Sequence, residues 1–362
     1  MKAVILSGGL GTRLRPLTWN TPKSLVPVLN KPFLEHVLRH LKEHGIDEVV
    51  LALSNLASSI QEYFGCTNSL DMKIDYVMER SALGTAGAIK NAAEKLSHDS
   101  FFVLNGDIFS DLDYSAMLKC HRENNSDVTI ALTAVDNPAA YGLVETKGDG
   151  RVTRFLEKPR QDEITTNLIN AGTYIFEPGV LDMIPTDTEY STERQLFPSM
   201  LASDASVRAF ASSGYWIDIG SPEKYRRLNF DLLSGRSGKY GFQNGNEVVT
   251  GQAGQVHPTA KLEGPVLLGD NCVVESNAVI MGPAVIGDHC HIGEAATISA
   301  SVIWPRVTIG NGCKLISSIA ADNCVLQSGC EITQAILGNR VKILKNYKLP
   351  TGSMVEPKQI IG

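Results

Sequence analysis

The chain has 362 residues, of which 43% are hydrophobic and 20% charged, as expected for a globular protein of about two domains. Its formal net charge of −6 argues against nonspecific binding to nucleic acid. Because no apolar run is long enough for a membrane span and the 7 cysteines form no C-x-x-C pair, we expect a protein of the reducing cytoplasm without a membrane anchor, disulfide framework or zinc site.

Short apolar runs alternate with helical patterns from residue 1 to about 235. The apolar runs predict strands at Lys2–Leu6, Glu48–Leu53, Lys73–Met78 and Phe101–Leu104. The helical patterns predict helices over Phe33–Leu41, Ile60–Phe64 and Thr85–Leu96, and from Ser221-Pro222 to about Leu233. This alternation is typical of a Rossmann-like, doubly wound and mostly parallel sheet, in which ligands bind beyond the carboxyl ends of the strands.

The rest of the chain is repetitive. Residues rich in Gly, Ser and Asn predict a linker at 236–250, between a first domain at 1–235 and a second at 251–362. Aliphatic residues recur every six positions at 256, 262, 268, 274, 280, 286, 292 and 298. A period of six suits a triangular coil and resembles the hexapeptide-repeat, left-handed parallel β-helix family. The frame shifts after Ile298, so we expect irregular coils or insertions there.

A glycine loop directly follows the first predicted strand. It reads Gly8-Gly9-Leu10-Gly11-Thr12-Arg13, and Lys23 follows in a Thr-Pro-Lys segment. Residues 1–34 contain five basic side chains and no acid. Glycines let backbone N–H groups approach a phosphate closely, and Arg and Lys neutralise its charge. The loop therefore indicates a polyanionic ligand such as a triphosphate.

The complete string G-G-x-G-T-R-L-x-P-L-T, with P-K after it, resembles the sugar-1-phosphate nucleotidyltransferases, and in detail the mannose-1-phosphate guanylyltransferases. The resemblance covers nearly the whole chain. It implies that Lys23 contacts the reacting phosphates. It also implies a nucleotide-binding loop formed by Leu6, Gly8, Gly9, Gly11, Thr12 and Arg13.

Two aspartates complete the implied catalytic set with Arg13 and Lys23. Asp107 ends the run Asn105-Gly106-Asp107, and Asp218 lies in Trp216-Ile217-Asp218. Carboxylates at the ends of strands commonly hold Mg²⁺ against phosphates. The resemblance places both aspartates on one Mg²⁺, although Asp107 alone could be a turn residue and Asp218 alone a helix cap.

Further motifs match the sugar-phosphate pocket of the family. Glu157-Lys158-Pro159 implies a lysine on the phosphate and a glutamate on sugar hydroxyls. The resemblance adds the motif residues Gly142, Asn170 and Gly172, and less closely Glu193.

Glu79, Gly84 and Thr85 match the segment that recognises the base. Family members that use uracil or thymine often carry Gln where Glu79 stands. Guanine presents two parallel donors, N1–H and N2–H₂, to which a carboxylate can accept both hydrogen bonds. Glu79 therefore favours GTP, unless it is a solvated surface acid.

The implied reaction joins a nucleoside triphosphate, with GTP favoured, to a sugar 1-phosphate, with mannose 1-phosphate favoured, and releases pyrophosphate. The alternatives are a thymidylyl- or uridylyltransferase acting on glucose 1-phosphate, and a catalytically silent homologue that senses nucleotide sugar. A further alternative is a bifunctional enzyme whose β-helix also transfers an acyl group from acetyl-CoA, with His257, His289 or His291 as its base. We expect the β-helix mainly to support assembly and stability of a homo-oligomer.

Overall fold

The strand Lys2–Leu6 lies at the centre of a nine-stranded sheet, and its three middle residues are fully buried. It pairs in parallel with Glu48–Leu53 on one side and with Phe101–Asn105 on the other. Lys73–Met78 extends the parallel part beyond Glu48–Leu53. Near-continuous apolar runs are typical of parallel strands covered on both faces. The four strands predicted here are confirmed.

The other part of the sheet contains antiparallel strands. Leu168–Phe176 pairs antiparallel with Phe101–Asn105, and also with Val128–Ala134 and Gly142–Thr146. The sheet is completed by Val152–Glu157, antiparallel to Gly142–Thr146, and by Val207–Ser212, parallel to Val128–Ala134. The Rossmann-like fold class is confirmed, and the antiparallel strands make the sheet mixed.

Three of the four predicted α-helices begin within one residue of the predicted position, and the helix expected at Ile60 begins three residues earlier. The helices Tyr114–Glu123 and Phe197–Ala202 were not predicted. The bounds of the α-helices are Phe33–Glu43, Ala57–Cys66, Gly84–Asn91, Tyr114–Glu123, Phe197–Ala202 and Pro222–Leu233. The predicted helix Thr85–Leu96 was too long, because the chain tightens after Asn91 into the 3₁₀ turn Ala93–Lys95. Ser221 caps the last helix by accepting a hydrogen bond from Lys224 N–H at 3.3 Å.

The computed structural model describes residues 1–54, 57–66, 70–96, 99–237 and 247–362. It divides into a first compact unit, Met1–Gly9 with Leu34–Ile217, and a second, Leu10–Phe33 with Asp218–Gly362. The second unit thus contains the glycine-loop residues after Gly9 as well as the repeats. Residues 238–246 of the predicted linker lie outside the described residues, and the predicted domain boundaries stay a prediction.

The repeats of the second unit form a parallel β-helix with three sides. The first side consists of Val248–Thr250, Val266–Leu268, Ala284–Ile286, Val302–Ile303, Ile319–Ala320, Ile336–Leu337 and Met354–Val355. The second consists of Gln255–Val256, Val273–Val274, His291–Ile292, Thr308–Ile309, Val325–Leu326, Lys342–Ile343 and Ile360–Ile361. The third consists of Lys261–Glu263, Val279–Met281, Thr297–Ser299, Lys314–Ile316 and Glu331–Thr333.

The aliphatic residue of each repeat points into the β-helix. From Leu268 to Ile298 every member of the predicted period-six series is at most 2% exposed, whereas Val256 in the first coil is 39% exposed. The five cysteines after residue 270 are also buried in the β-helix, and each thiol donates to a backbone carbonyl. They serve as small core residues, as the sequence predicts.

The frame shift after Ile298 reflects a corner that is one residue shorter, so the coils are irregular in length, as expected, whereas an insertion at this point was wrong. Ile280 pairs with Ile298, 18 positions later, but Ile298 pairs with Leu315, 17 positions later. The corner shortens at Ser301, a buried residue whose hydroxyl donates to Ser299 O at 2.7 Å and accepts from Ser318 N–H at 3.1 Å. Ser318 repeats the arrangement one coil later by accepting from Ala335 N–H.

Across the described ranges, no helix combines the length and the apolar character needed to cross a membrane.

Candidate active site

The first unit places Glu79 beside the start of the glycine loop. A Cβ atom at Gly8, two residues after the end of strand Lys2–Leu6, would lie 2.7 Å from Glu79 Oε1. A Cβ atom at Gly9 would have no heavy atom of the described residues within 4 Å. Gly8 therefore makes room for the Glu79 carboxylate, and Gly9 borders open space.

The Glu79 carboxylate is half-buried rather than fully solvated. Its backbone N–H donates to Leu53 O at 2.8 Å, which continues the strand pairing beyond Met78. Burial raises the pKa of Glu79, while a hydrogen bond from the Leu83 backbone N–H partly opposes the rise. An ionisable side chain whose pKa is shifted by burial and that borders a glycine loop is a candidate for ligand recognition.

The Gly84-Thr85 segment contacts the residues around Tyr190. Gly84 has φ +68°, and a Cβ atom there would lie 2.8 Å from Tyr190 O. The close approach that this glycine permits is therefore to the Tyr190 backbone. The Thr85 hydroxyl donates to Glu193 Oε2 at 2.8 Å and accepts from Thr192 N–H at 2.8 Å. A residue expected at the nucleotide thus contacts one expected at the sugar.

Glu193 connects several side chains of the expected sugar pocket. Besides Thr85, its carboxylate accepts from Ser191 Oγ at 3.0 Å and from the hydroxyl of Tyr174 at 3.3 Å. Asn170 Nδ2 donates to the same Tyr174 oxygen at 2.7 Å, and Asn170 Oδ1 accepts from Gly172 N–H at 2.9 Å. One hydrogen-bonded network therefore fixes the orientation of Glu193 and of Asn170.

Glu157 lies close to this network. Burial raises the pKa of Glu157, and the negative charge of Glu193 raises it further, against the opposing charges of Lys158 and Arg194. A Cβ atom at Gly142 would lie 3.0 Å from Glu157 Oε2, so this glycine leaves space beside the carboxylate. Lys158 has φ +52°, a left-handed conformation that is uncommon for a residue other than glycine and recurs at functional sites.

Asp107 follows the strand Phe101–Asn105, where Gly106 N–H donates to Leu6 O at 2.9 Å. Gly106 lies against Ser7, whose buried Oγ has no hydrogen-bond partner among the described residues. Asp107 also directly precedes Ile108–Ser110, which pairs with Trp216–Asp218 in a two-stranded sheet. The Asn105-Gly106-Asp107 turn is thus held at both of its ends by strand pairing.

The second unit contains the other half of the expected phosphate-binding residues. Gly11 has φ +61° and precedes the 3₁₀ turn Thr12–Leu14, and its carbonyl accepts from Thr18 Oγ1 at 2.7 Å. A Cβ atom at Gly11 would lie 3.3 Å from the Cβ of Lys23. The loop is therefore folded back on itself, so that Arg13 and Lys23 belong to one compact segment.

Asp218 lies next to Arg13 in the same unit. Its Oδ1 accepts from Gly220 N–H at 2.9 Å, and its Oδ2 forms an ion pair with Lys224 Nζ. A Cβ atom at Gly220 would lie 3.3 Å from both terminal nitrogens of Arg13. Any side chain at position 220 would displace either the carboxylate or the guanidinium.

Sequence reasoning missed several residues that support these groups. Lys224 is one helical turn inside the helix that Ser221 caps, which brings its ammonium back to Asp218. Tyr174 lies four positions after Asn170 on the same strand, but a register shift between them interrupts the regular alternation from which a shared face could be predicted. Trp216 Nε1–H donates to Ala171 O at 3.0 Å, a contact that no local pattern indicates.

The donor chemistry of these residues fits a hard divalent cation. Carboxylate and hydroxyl oxygens are the ligands that Mg²⁺ prefers, and both aspartates and the unpartnered Ser7 hydroxyl belong to this class. The Lys224 ammonium on Asp218 shows that this carboxylate already has a cationic partner. Within the described part of the chain, His, Cys, Asp and Glu form no cluster of three or more at metal-binding distances.

The three histidines considered for acyl transfer lie at coil positions of the β-helix. His257 Nδ1 lies 2.9 Å from Thr259 Oγ1, His291 Nε2 lies 3.1 Å from Glu275 Oε1, and His289 has φ +57°.

Comparisons with known proteins show the families to which the two parts of the chain are similar. Residues 2–235 match the family "Nucleotidyl transferase", and residues 246–349 match the "EIF2B subunit epsilon LbH domain". Mannose-1-phosphate guanylyltransferase of Mycobacterium tuberculosis (strain ATCC 25618 / H37Rv) is 38% identical over 75% of this chain and 82% of its own length. UTP–glucose-1-phosphate uridylyltransferase of Synechocystis sp. (strain ATCC 27184 / PCC 6803 / Kazusa) is 35% identical over 92% of this chain and 90% of its own length.

Among solved structures, HddC from Yersinia pseudotuberculosis complexed with GMP-PN is 35% identical, with a TM-score of 0.56. The match covers 63% of this chain and 97% of that chain. The family match spans the sheet and the glycine loop, and the second match accounts for the left-handed β-helix. The chain therefore belongs to the nucleotidyl transferase family.

Proposed function

We propose that the chain transfers the guanylyl group of GTP to mannose 1-phosphate and releases pyrophosphate. The observation that carries the choice of base is the half-buried Glu79 carboxylate next to Gly8. Two acceptor oxygens on one planar group match the N1–H and N2–H₂ donors of guanine. Mycobacterium tuberculosis mannose-1-phosphate guanylyltransferase and HddC complexed with GMP-PN support the same choice.

The proposed reaction needs no covalent intermediate. A phosphate oxygen of the sugar phosphate attacks the α-phosphorus of GTP, the bond to the bridging oxygen breaks, and pyrophosphate leaves. Arg13 and Lys23 offset the charge of the phosphates, and Lys158 orients the attacking phosphate. The nucleophile is already ionised at neutral pH, so positioning and electrostatics supply most of the rate.

Glu157, Glu193 and Asn170 bind the sugar in this proposal. The orientation of Asn170 and Glu193 is set before the substrate arrives, because Tyr174 hydrogen-bonds to both residues and Thr85 hydrogen-bonds to Glu193. Asp107 and Asp218 hold Mg²⁺, which, when bound, offsets phosphate charge.

The cysteines of the β-helix are thiols, which supports a reducing cytoplasm.

A screen of substrates tests the function. Pyrophosphate release measured with GTP, dTTP, UTP, CTP and ATP, each with mannose or glucose 1-phosphate, should be fastest for GTP with mannose 1-phosphate. A preference for UTP or dTTP with glucose 1-phosphate would instead indicate a uridylyl- or thymidylyltransferase. The Synechocystis relative, named as a uridylyltransferase, favours this alternative. No release with any pair, in a protein that still binds nucleotide sugar, would indicate a regulatory homologue.

Glu79→Gln should lower kcat/KM for GTP more than for dTTP or UTP. The amide has one acceptor instead of two and leaves a guanine donor unpaired, which costs about 1–3 kcal/mol. Glu157→Gln is a matched control, since it changes a second carboxyl with a raised pKa but should affect all nucleotides equally. Equal losses for the three nucleotides in Glu79→Gln would remove Glu79 from base selection.

The pH dependence of nucleotide selectivity is a second test of the role of Glu79. Because burial raises the pKa of Glu79, the carboxylate takes up its proton at a higher pH than an exposed glutamate does. A protonated carboxyl cannot accept both donors of guanine. The ratio of kcat/KM for GTP to that for UTP should therefore fall on acidification in the parent protein and stay constant in Glu79→Gln.

Asp107→Asn and Asp218→Asn should each lower Mg²⁺-dependent turnover on the order of 100-fold or more while the circular dichroism spectrum stays unchanged. The loss should come with weaker Mn²⁺ binding measured by electron paramagnetic resonance in the presence of GTP. Asp162→Asn, a change at an exposed aspartate paired with Arg160, serves as the control. Near-normal turnover in either test variant would contradict the metal assignment for that residue.

The proposal includes a homo-oligomer assembled through the β-helix. Exposed apolar side chains on its strands, including Val248, Val256 and Met281, support an assembly surface. Sedimentation velocity of the full-length protein should give a species larger than the 39.2 kDa monomer. A monomer at micromolar concentration would contradict it.

A further inference from the structure

The segment that carries Arg13 and Lys23 belongs to the same compact unit as the β-helix. Residues 10–33, the helix Pro222–Leu233 and the repeats together form this second unit. The sugar-binding candidates Glu157, Asn170 and Glu193 all belong to the first unit. The segment from Leu10 to Leu25, which contains Arg13 and Lys23, is called the phosphate loop below. Contacts inside the second unit can therefore affect the phosphate loop without involving the sugar pocket.

A buried hydrogen-bond relay joins the β-helix to this segment through Tyr225. Trp304, next to the β-helix strand Val302–Ile303, donates from Nε1–H to the Tyr225 hydroxyl at 2.8 Å. The Tyr225 hydroxyl in turn donates to Pro27 O. Both aromatic side chains are at most 1% exposed and meet edge to face. Burial raises the pKa of Tyr225, so its hydroxyl keeps the proton that it donates.

The turn of the β-hairpin that follows Lys23 makes two further hydrogen bonds within the second unit. Pro27–Val28 pairs with Lys31–Pro32, and the turn residues Leu29 and Asn30 have φ of 45° and 63°. A left-handed conformation is common for asparagine but unfavourable for leucine, so Leu29 makes this turn costly unless other contacts stabilise it. Leu29 N–H donates to Asn229 Oδ1 at 3.0 Å, and Asn30 Nδ2 donates to Ile286 O of the β-helix at 2.8 Å.

The tethered hairpin continues directly from the phosphate loop. Val26, which is fully buried, lies between the 3₁₀ turn Lys23–Leu25 and the hairpin, and its carbonyl accepts from Phe33 N–H at 3.0 Å. Lys23 packs against Gly11 at the other end of the loop. Since the loop is closed at Gly11 and its continuation is held at Pro27 and Asn30, the β-helix constrains the position of Lys23.

We propose that the β-helix is a positioning element for the phosphate loop, with Trp304, acting through Tyr225, and Ile286, acting through Asn30, as its contact points. The inference rests on the proposed function and extends it. The β-helix then does more than support assembly and stability. None of these residues touches the reacting atoms. Their effect passes through the backbone of the hairpin to Lys23 and Arg13, which bind the triphosphate.

Steady-state kinetics of full-length Tyr225→Phe, Trp304→Phe and the double variant test this proposal. Tyr225→Phe leaves Pro27 O and Trp304 Nε1–H without their shared partner. Its KM for the triphosphate should rise about 5- to 30-fold, whereas the KM for the sugar 1-phosphate should stay within about twofold. Trp304→Phe should have a smaller effect of the same kind. The double variant should be no worse than Tyr225→Phe, because both changes interrupt one relay.

Asn30→Gly provides a second route if the aromatic variants fold poorly. Glycine keeps the left-handed turn available and removes only the amide that donates to Ile286 O. It should raise the KM for the triphosphate with little change in melting temperature. Ile332→Val is the control for general weakening, since it removes one methylene from the β-helix core in the strand Glu331–Thr333. It should lower the melting temperature slightly and leave both KM values unchanged.

Three results would overturn the proposal. The first is an unchanged KM for the triphosphate in Tyr225→Phe and Asn30→Gly. The second is an equal rise of KM for both substrates, and the third is the same kinetic change in Ile332→Val. Failure of the proposed function is a separate outcome, since the parent protein would then release no pyrophosphate with any pair of substrates.

Discussion

The hydrogen bonds of the buried Tyr225 hydroxyl connect three elements of the second unit. The hydroxyl accepts from Trp304 and donates to Pro27 O, so one atom joins the β-helix, the helix Pro222–Leu233 and the segment after Lys23. A buried hydroxyl with both kinds of partner is stabilising, but loss of either partner leaves a polar group unsatisfied at a cost of about 1–3 kcal/mol. The relay therefore favours a single arrangement of these three elements.

In the first unit, the Glu193 carboxylate likewise connects several side chains through hydrogen bonds. Its carboxylate accepts from Thr85, Ser191 and Tyr174, and Tyr174 is bonded in turn to Asn170. Burial raises the pKa of Glu157, and the negative charge of the nearby Glu193 raises it further. Two carboxylates close to each other favour a ligand that offers several hydroxyl donors, and a sugar does so.

Charge is distributed differently in the two units. In the second unit, Arg13 lies by Gly220, Lys224 pairs with Asp218, and Lys23 lies in the same segment as Arg13. The first unit contributes carboxylates at Glu79, Glu157 and Glu193. Cationic side chains suit the phosphates of a triphosphate, whereas the carboxylates of Glu157 and Glu193 suit a polyhydroxylated ligand.

The sequence alone determined the features that depend on local patterns. Apolar runs identified the first four strands, Ser221-Pro222 identified the start of the last helix, and the period of six identified the inward residues of the β-helix from Leu268 to Ile298. Each of these follows from side chains a few positions apart. The glycine string likewise indicated a phosphate loop, since its chemistry lies in one continuous segment.

Only the tertiary structure decided which distant residues meet. Thr85 bonds to Glu193, 108 positions away, and Tyr225 to Pro27, 198 positions away. The 17-residue coils depend on the bond between Ser301 and Ser318, in which each serine taken alone would be read as an ordinary turn residue. Periodicity and propensity describe neighbours along the chain. Such pairings are favoured by burial, where an unpaired hydroxyl costs about 1–3 kcal/mol.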